Sequence, residues 1–394
     1  MSTLPNLPAY RRLMLLAGLT ALTACSTDAP TAVPLAADDP AAPGLAASGS
    51  AAVALTPTVF ATNLKFPRGF AFADDGTLYV AEAGSGGRQS TTPARCEQVA
   101  PPLGPFTNGR SARISRIDER GRRTTFASGF PSGLNAIGDV MGVADVAFLG
   151  GQLYALVAGG GCSHGSRVFP AGIARVSASG EWDIIADLSA YQAANPVAEP
   201  PVDFEPDGSW YSMLAVGGKL FAADANHGEV VRVLPGTGAI SRVADVSAVL
   251  GHIVPTALAE RHGTLYFGNL GTFPVAPGSQ SVWRLTRGGE ISLRAEGFST
   301  VLGVDFDDRG RLYVLETSNA PGFPTPETGR VVRVSAQGDH EVIVDGLFFP
   351  TAMRFGPDGA LYISNKGFGP PQPGEILRVE VPGVSPALLA GTGK

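Results

Sequence analysis

Asp358-Gly359-Ala360-Leu361-Tyr362 is a tight turn that runs straight into an apolar strand, and the same phrase occurs six times along the chain. The other copies are Asp74-Asp75-Gly76-Thr77-Leu78-Tyr79, Gly150-Gly151-Gln152-Leu153-Tyr154, Gly217-Gly218-Lys219-Leu220-Phe221, His262-Gly263-Thr264-Leu265-Tyr266 and Arg309-Gly310-Arg311-Leu312-Tyr313. Glycine supplies the positive φ that a short hairpin connection needs. Each copy leads to a further strand with an arginine before its last apolar residue, as in Ile114-Ser115-Arg116-Ile117 and Val331-Val332-Arg333-Val334. An apolar stretch precedes each turn, such as Gly69-Phe70-Ala71-Phe72, and a fourth follows, such as Val342-Ile343-Val344. The leucine falls at 220, 265, 312 and 361, giving spacings of 45, 47 and 49 residues. Four short strands at that period are propeller blades. The chain is therefore expected to be all-β, a six-bladed β-propeller of four-stranded antiparallel blades. Two segments compete to supply the last outer strand: Val59 to Leu64, and Ala387 to Ala390.

Composition agrees with that reading. The 394 residues include 51 glycines and 32 prolines with only 16% charged residues, which excludes a long-helix or coiled-coil protein. A hydrophobic share of 44% is enough for a large core and excludes wholesale disorder. The net charge of −6 offers no basic surplus to neutralise phosphates, so no nucleic-acid partner is expected.

The beginning of the chain reads as an address. Arg11 and Arg12 precede an apolar run from Leu13 to Ala24, too short to span a bilayer. It ends in Leu22-Thr23-Ala24-Cys25, which resembles the lipobox of bacterial lipoproteins. That resemblance implies lipid attachment at Cys25 and a removable signal peptide over 1–24; the alternative is an ordinary signal peptide with a chance cysteine. Residues 25–57 are dominated by Ala, Pro, Ser, Thr and Asp without apolar periodicity, a flexible tether, and 58–394 are assigned to the propeller. The expected location is exported and lipid-anchored at the cell envelope. Because Ser26 stands where a retention aspartate would, the periplasmic side of the outer membrane is expected if there are two membranes. The remaining cysteines, Cys96 and Cys162, are expected to pair in an oxidising compartment, with two free thiols as the alternative.

Chemistry is harder to place. From the aromatic of each turn phrase to the following arginine there are 37 residues in the first repeat (79 to 116) and 21 in the second (154 to 175). The later repeats need 11 (221 to 232), 18 (266 to 284), 20 (313 to 333) and 16 (362 to 378), so the long insertions lie on one face, mostly in blades one and two. Loops on a rigid scaffold are where binding concentrates. The second strands end in Glu82, Asp224, Asn269, Glu316 and Asn365, which are expected around the central mouth of that face, with Arg68, Asn226, His227 and His252 nearby. Such oxygen-rich groups can hold a divalent cation such as calcium; no organic cofactor is expected. The other reading is that these polar ends only hydrogen-bond strand ends and loop backbones.

Three stretches carry a family resemblance: Phe66-Pro67-Arg68-Gly69-Phe70-Ala71-Phe72, Ala222-Ala223-Asp224-Ala225-Asn226-His227-Gly228, and Phe355-Gly356-Pro357-Asp358-Gly359-Ala360-Leu361-Tyr362-Ile363-Ser364-Asn365. From about Val59 onward the chain resembles the exported propellers of the ScyD/ScyE type, from scytonemin gene clusters. It departs from their spacing at Asn195-Pro196 and Asp203-Phe204-Glu205-Pro206-Asp207. The resemblance implies an exported six-bladed propeller with no established reaction; the lipobox, the tether and the long loops on one face point to a binding or interaction module. The partner is then an unidentified protein or small molecule on the loop-rich face. Gluconolactonase-type and paraoxonase-type propellers set a metal-dependent hydrolase beside it. The corresponding ligand positions, at the starts of the innermost strands, read Arg68, Gly142, Tyr211 or Ser212, Thr256, Leu302 and Thr351, none of them a carboxylate. A quinone-dependent sugar dehydrogenase is the weaker alternative, with His164, His227, His252 and Arg68 as its candidates.

Overall fold

A computed structural model describes residues 54–386. The signal segment, Cys25 and most of the tether lie outside the described residues, as does the strand candidate Ala387–Ala390. The chain folds as six antiparallel sheets, five of four strands and one of five. In chain order the first strands of blades 1 to 6 are Pro67–Phe72, Val143–Leu149, Trp210–Val216, Pro255–Arg261, Val301–Phe306 and Ala352–Phe355. Each is followed by the strand that the turn phrase opens. At Gly359, φ of +79° shows the left-handed backbone for which that phrase selects glycine.

The ring is closed by the beginning of the propeller. Thr58–Leu64 pairs antiparallel with Gly374–Val379 and becomes the outer strand of blade 6. Across the same seam Thr351 Oγ1 donates to Pro67 O at 2.7 Å and Ser364 Oγ to Arg68 O at 2.6 Å. Blade 1 carries the fifth strand, Val140–Met141, paired to an extension of its fourth, Arg123–Leu134. Two short helices follow outer strands: α1 (Leu188–Ala194), capped by Asp187, and α2 (Val246–Leu250), capped by Asp245. In each the cap carboxylate accepts from the third backbone N–H onward.

The core is divided into six wedges, one between each pair of adjacent blades. Leu156 and Ile173 of blade 2 meet Met213 and Val231 of blade 3, and Tyr313 and Leu315 of blade 5 meet Leu361 and Ile363 of blade 6. The second strands are buried on both faces, so they read as unbroken apolar runs. This gives the recurrent tyrosine its role. Tyr79, Tyr266, Tyr313 and Tyr362 each meet a phenylalanine of the next blade's first strand edge-on, namely Phe148, Phe306, Phe355 and Phe72, at centroid distances of 4.8–5.2 Å. The recurrent arginines turn to the outer strand or turn of their own blade: Arg175 to Asp183, Arg333 to Glu341 and Arg378 to Asp358.

First strands line the central channel and are stitched to one another by buried polar groups. Asp145 accepts from Met213 N at 2.8 Å and from Ser212 Oγ at 3.2 Å, and Ser212 Oγ accepts from Leu258 N at 3.2 Å. Asp305 accepts from Phe355 N at 2.8 Å. Gly69 is small because a side chain there would occupy the Asp145 carboxylate.

Candidate functional site

The loop-rich face opens into a central cavity of about 230 Å³. Its floor is made by the residues that begin the innermost strands or stand next to them: Arg68, Met141, Tyr211, Thr256, Leu302 and Thr351. Tyr211 reaches across the channel and donates to Thr351 O at 2.6 Å, so the mouth is separated from the channel beneath. Desolvation pushes its hydroxyl far above the usual tyrosine range, which keeps it a donor. Above the floor the walls are aromatic and aliphatic. Phe106, Phe273, Phe323 and Phe368 come from the loops of blades 1, 4, 5 and 6, with Leu103 and Ile137 at the rim. Phe273 and Ile137 are 66% and 54% exposed, so apolar surface faces solvent at the entrance.

Polar groups enter from two connections. Asp139 lies between blades 1 and 2, where Arg68 donates to it at 3.3 Å and to Val140 O at 2.6 Å. Asp203 and Glu205 belong to the acidic segment before blade 3. Asn226 clamps that segment, accepting from Glu205 N at 2.8 Å and donating to Asp203 O at 2.9 Å. His227 faces Glu205 O at 2.8 Å and stacks on Phe204. Ser163 fixes Asp207 from blade 2 through both its N–H and its hydroxyl. His164 is fully buried, with Nε2 at 3.3 Å from Glu205 and Nδ1 at 2.8 Å from Gly160 O. Burial opposes its charged form, but the Glu205 carboxylate outweighs that and holds its pKa above the ordinary 6.5. Burial raises the Glu205 carboxyl as well. At the rim His252 Nε2 lies 3.3 Å from Asp203, and that contact lowers the Asp203 pKa.

Three of the residues singled out in the sequence therefore line the mouth: Arg68, Asn226 and His252. Glu82, Asp224, His227, Asn269, Glu316 and Asn365 do not line it. Most of these side chains latch the preceding crossover to the end of a second strand. Glu82 accepts from Lys65 N at 2.6 Å and from Arg113, and Glu316 from Ser299 N at 2.6 Å and from Arg330 at 2.5 Å. Asp224 accepts from Ser209 N at 2.9 Å, and Asn269 donates to Ile253 O at 3.1 Å. Asn365 donates to Glu375 at 2.8 Å. These contacts satisfy backbone groups and charges that burial would otherwise leave orphaned. Sequence reasoning did not find the four phenylalanines or Asp139. Asp203 and Glu205 appeared only as a departure in spacing.

A disulfide joins Cys96 to Cys162, closing the long loops of blades 1 and 2 into one wall beside the mouth. Thr91 Oγ1 donates to Cys162 O at 2.6 Å and Arg167 Nε to Ser90 O at 2.9 Å, so the two loops are fastened at several points.

No protein-family model matches the chain, and no curated protein matches it in sequence. Solved structures do. Regucalcin from Agrobacterium tumefaciens, described as a calcium-binding protein, is 14% identical with a TM-score of 0.53, over 85% of this chain and 97% of its own. A gluconolactonase from Xanthomonas campestris is 14% identical with a TM-score of 0.50, over 82% and 89%. A luciferin-regenerating enzyme is 10% identical with a TM-score of 0.51, over 84% and 97%. At these identities the likeness defines an architecture, and this chain shares the six-bladed propeller fold of those proteins.

Proposed function

We propose that the protein is an extracytoplasmic binding module whose central mouth takes a small, largely apolar ligand with a cationic or hydrogen-bond-donating end. One observation carries this reading. A cavity of about 230 Å³ is walled by phenylalanines from four blades, and Asp139 and Asp203 line it with their partners Arg68 and His252. Apolar walls with a few convergent polar groups are the usual make-up of a small-molecule site. A donor or cation at the ligand's polar end would meet the half-exposed Asp203 carboxylate at the rim, whose partner there is a histidine. A rigid frame beneath and a disulfide beside the mouth reduce the ordering cost of binding. The long loops on one face support a binding role, and the lipobox-like segment ending at Cys25 supports a lipid anchor at the cell envelope.

A thermal-shift panel of aromatic amines against their neutral alcohol counterparts tests the ligand class. The amines should stabilise the protein more than the alcohols, and both Phe273→Ala and Asp203→Asn should reduce the effect. Equal response to amines and alcohols, or a shift indifferent to both substitutions, would remove this reading.

A further inference from the structure

A second polar constellation lies behind the mouth, where α1 meets blade 3. Asp224, His227 and Glu229 are all buried, and a ligating atom of each lies within 4.8 Å of the others. Their remaining valences are restricted in a particular way. Asp224 Oδ1 accepts the backbone N–H groups of Ser209 at 2.9 Å, Asn226 at 2.8 Å and His227 at 3.3 Å, so Oδ2 is the oxygen left over. Glu229 Oε2 takes Arg242 at 2.7 Å, leaving Oε1. His227 Nε2 faces a carbonyl, Glu205 O, at 2.8 Å, so the ring nitrogen open to a ligand is Nδ1.

The two spare carboxylate oxygens share one donor, the amide nitrogen of Gln192 on α1. Gln192 is 2% exposed, and its Oε1 has no hydrogen-bond partner among the described residues. A buried amide with an idle carbonyl oxygen beside two carboxylates is an incomplete arrangement. Its nitrogen and oxygen are also interchangeable by a half-turn. The same space is bounded by Gly208, at φ +72°, where any side chain would run into Asp224 Oδ2 and the Gln192 amide. Arg242 pairs with Glu229 alone of the two buried acids, and burial with the neighbouring Asp224 raises the Glu229 carboxyl.

We propose that Gln192, Asp224, His227 and Glu229 form a divalent-cation site that pins α1 to blade 3. One imidazole nitrogen among three oxygens suits a first-row ion such as Zn²⁺ or Mn²⁺ better than Ca²⁺, which takes oxygen ligands throughout. With the ion bound, the Gln192 amide turns so that Oε1 faces it, and the ion replaces the amide nitrogen as the partner the two carboxylates share. None of the four ligands lines the mouth, although His227 and Asp224 also hold the Glu205 and Asn226 segments that do.

The test uses the untagged full-length chain, stripped with a chelator and titrated separately with ZnCl₂, MnCl₂ and CaCl₂, read by calorimetry and by thermal unfolding. One equivalent of Zn²⁺ or Mn²⁺ should bind and raise Tm, with Ca²⁺ at least tenfold weaker. Gln192→Leu and Asp224→Asn should each lower the affinity at least tenfold, the range expected when a metal's ligand environment is damaged. His252→Gln, at the mouth, should leave it unchanged. If Asp224→Asn does not fold, Gln192→Leu decides alone, since it removes only an amide from a short helix. Absence of stoichiometric binding, or binding undiminished in Gln192→Leu, overturns the proposal.

Discussion

Replacing Asp145 by alanine should loosen the propeller at its axis. The residue is 2% exposed, and its carboxylate accepts from Val146 N at 2.9 Å, Met213 N at 2.8 Å, Ser212 Oγ at 3.2 Å and Arg354 at 3.3 Å. Ser212 can rotate, and Arg354 already reaches Met213 O at 3.4 Å, so those two donors find other partners. The two backbone N–H groups cannot, and each buried donor left unpaired costs about 1–3 kcal/mol. Removing a buried charge gives part of that back, because desolvation, only partly offset by Arg354, raises the Asp145 pKa. The net loss should be about 2–4 kcal/mol, read as a lower urea midpoint with an unchanged slope and followed by the fluorescence of buried Trp210 in blade 3. A raised folded-state pKa gives stability that is complete below the unfolded value and lost as pH rises through the folded one. The deficit of Asp145→Ala should therefore narrow from acid to neutral pH. A loss below about 1 kcal/mol at neutral pH, no larger than that of exposed Asp183→Ala, would show that the blades do not depend on this carboxylate.

Removing the disulfide by a Cys96→Ser, Cys162→Ser double substitution frees a crosslink with a sequence separation of 66 residues and should cost about 2–4 kcal/mol in urea unfolding. Limited proteolysis should then cut the 83–106 loop first. His164 and Glu205 both have raised folded-state values, so each contributes stability that fades as pH rises; His164→Gln should flatten the fall in Tm above the ordinary imidazole value of 6.5. Tyr211→Phe leaves Thr351 O without its donor and should cost about 1 kcal/mol, measured by the same urea titration. Cys25→Ser should move the protein from the membrane fraction to the soluble one, and retention in membranes would rule out the lipid anchor.

The architecture was legible because a repeat states its own fold. Six glycine turns with six leucine–aromatic pairs leave little choice; Val59 to Leu64 stands where outer strands stand before the other repeats, but position alone left Ala387 to Ala390 competing for the same place. The cysteine pairing was legible for a simpler reason: two thiols in corresponding loops of adjacent blades have only each other. The mouth was not legible to the same degree. Periodicity located the ends of the second strands but not the direction of their side chains, and Glu82 and Glu316 turn toward crossover N–H groups and arginines instead of the axis. The starts of the innermost strands, read only as positions lacking carboxylates, form the floor. The walls come from Phe273, Phe323 and Phe368 in aperiodic loops, where neither a period of two nor a turn signature fixes which way a ring points. Asp203 and Glu205 needed Asn226 and His227 to place them, a tertiary clamp that no local pattern announces.

The seam in blade 6 also sets an order in time. Thr58–Leu64 is made before any blade, yet its partner, Gly374–Val379, comes more than 300 residues later. The intervening wedges can assemble as neighbouring blades emerge, whereas this segment must wait unpaired until almost the whole chain is available. Any truncation that removes the final blade therefore strands the first segment too, and leaves the ring with two open edges, one beside blade 1 and one beside blade 5. The earliest residues of the propeller are the last to be housed.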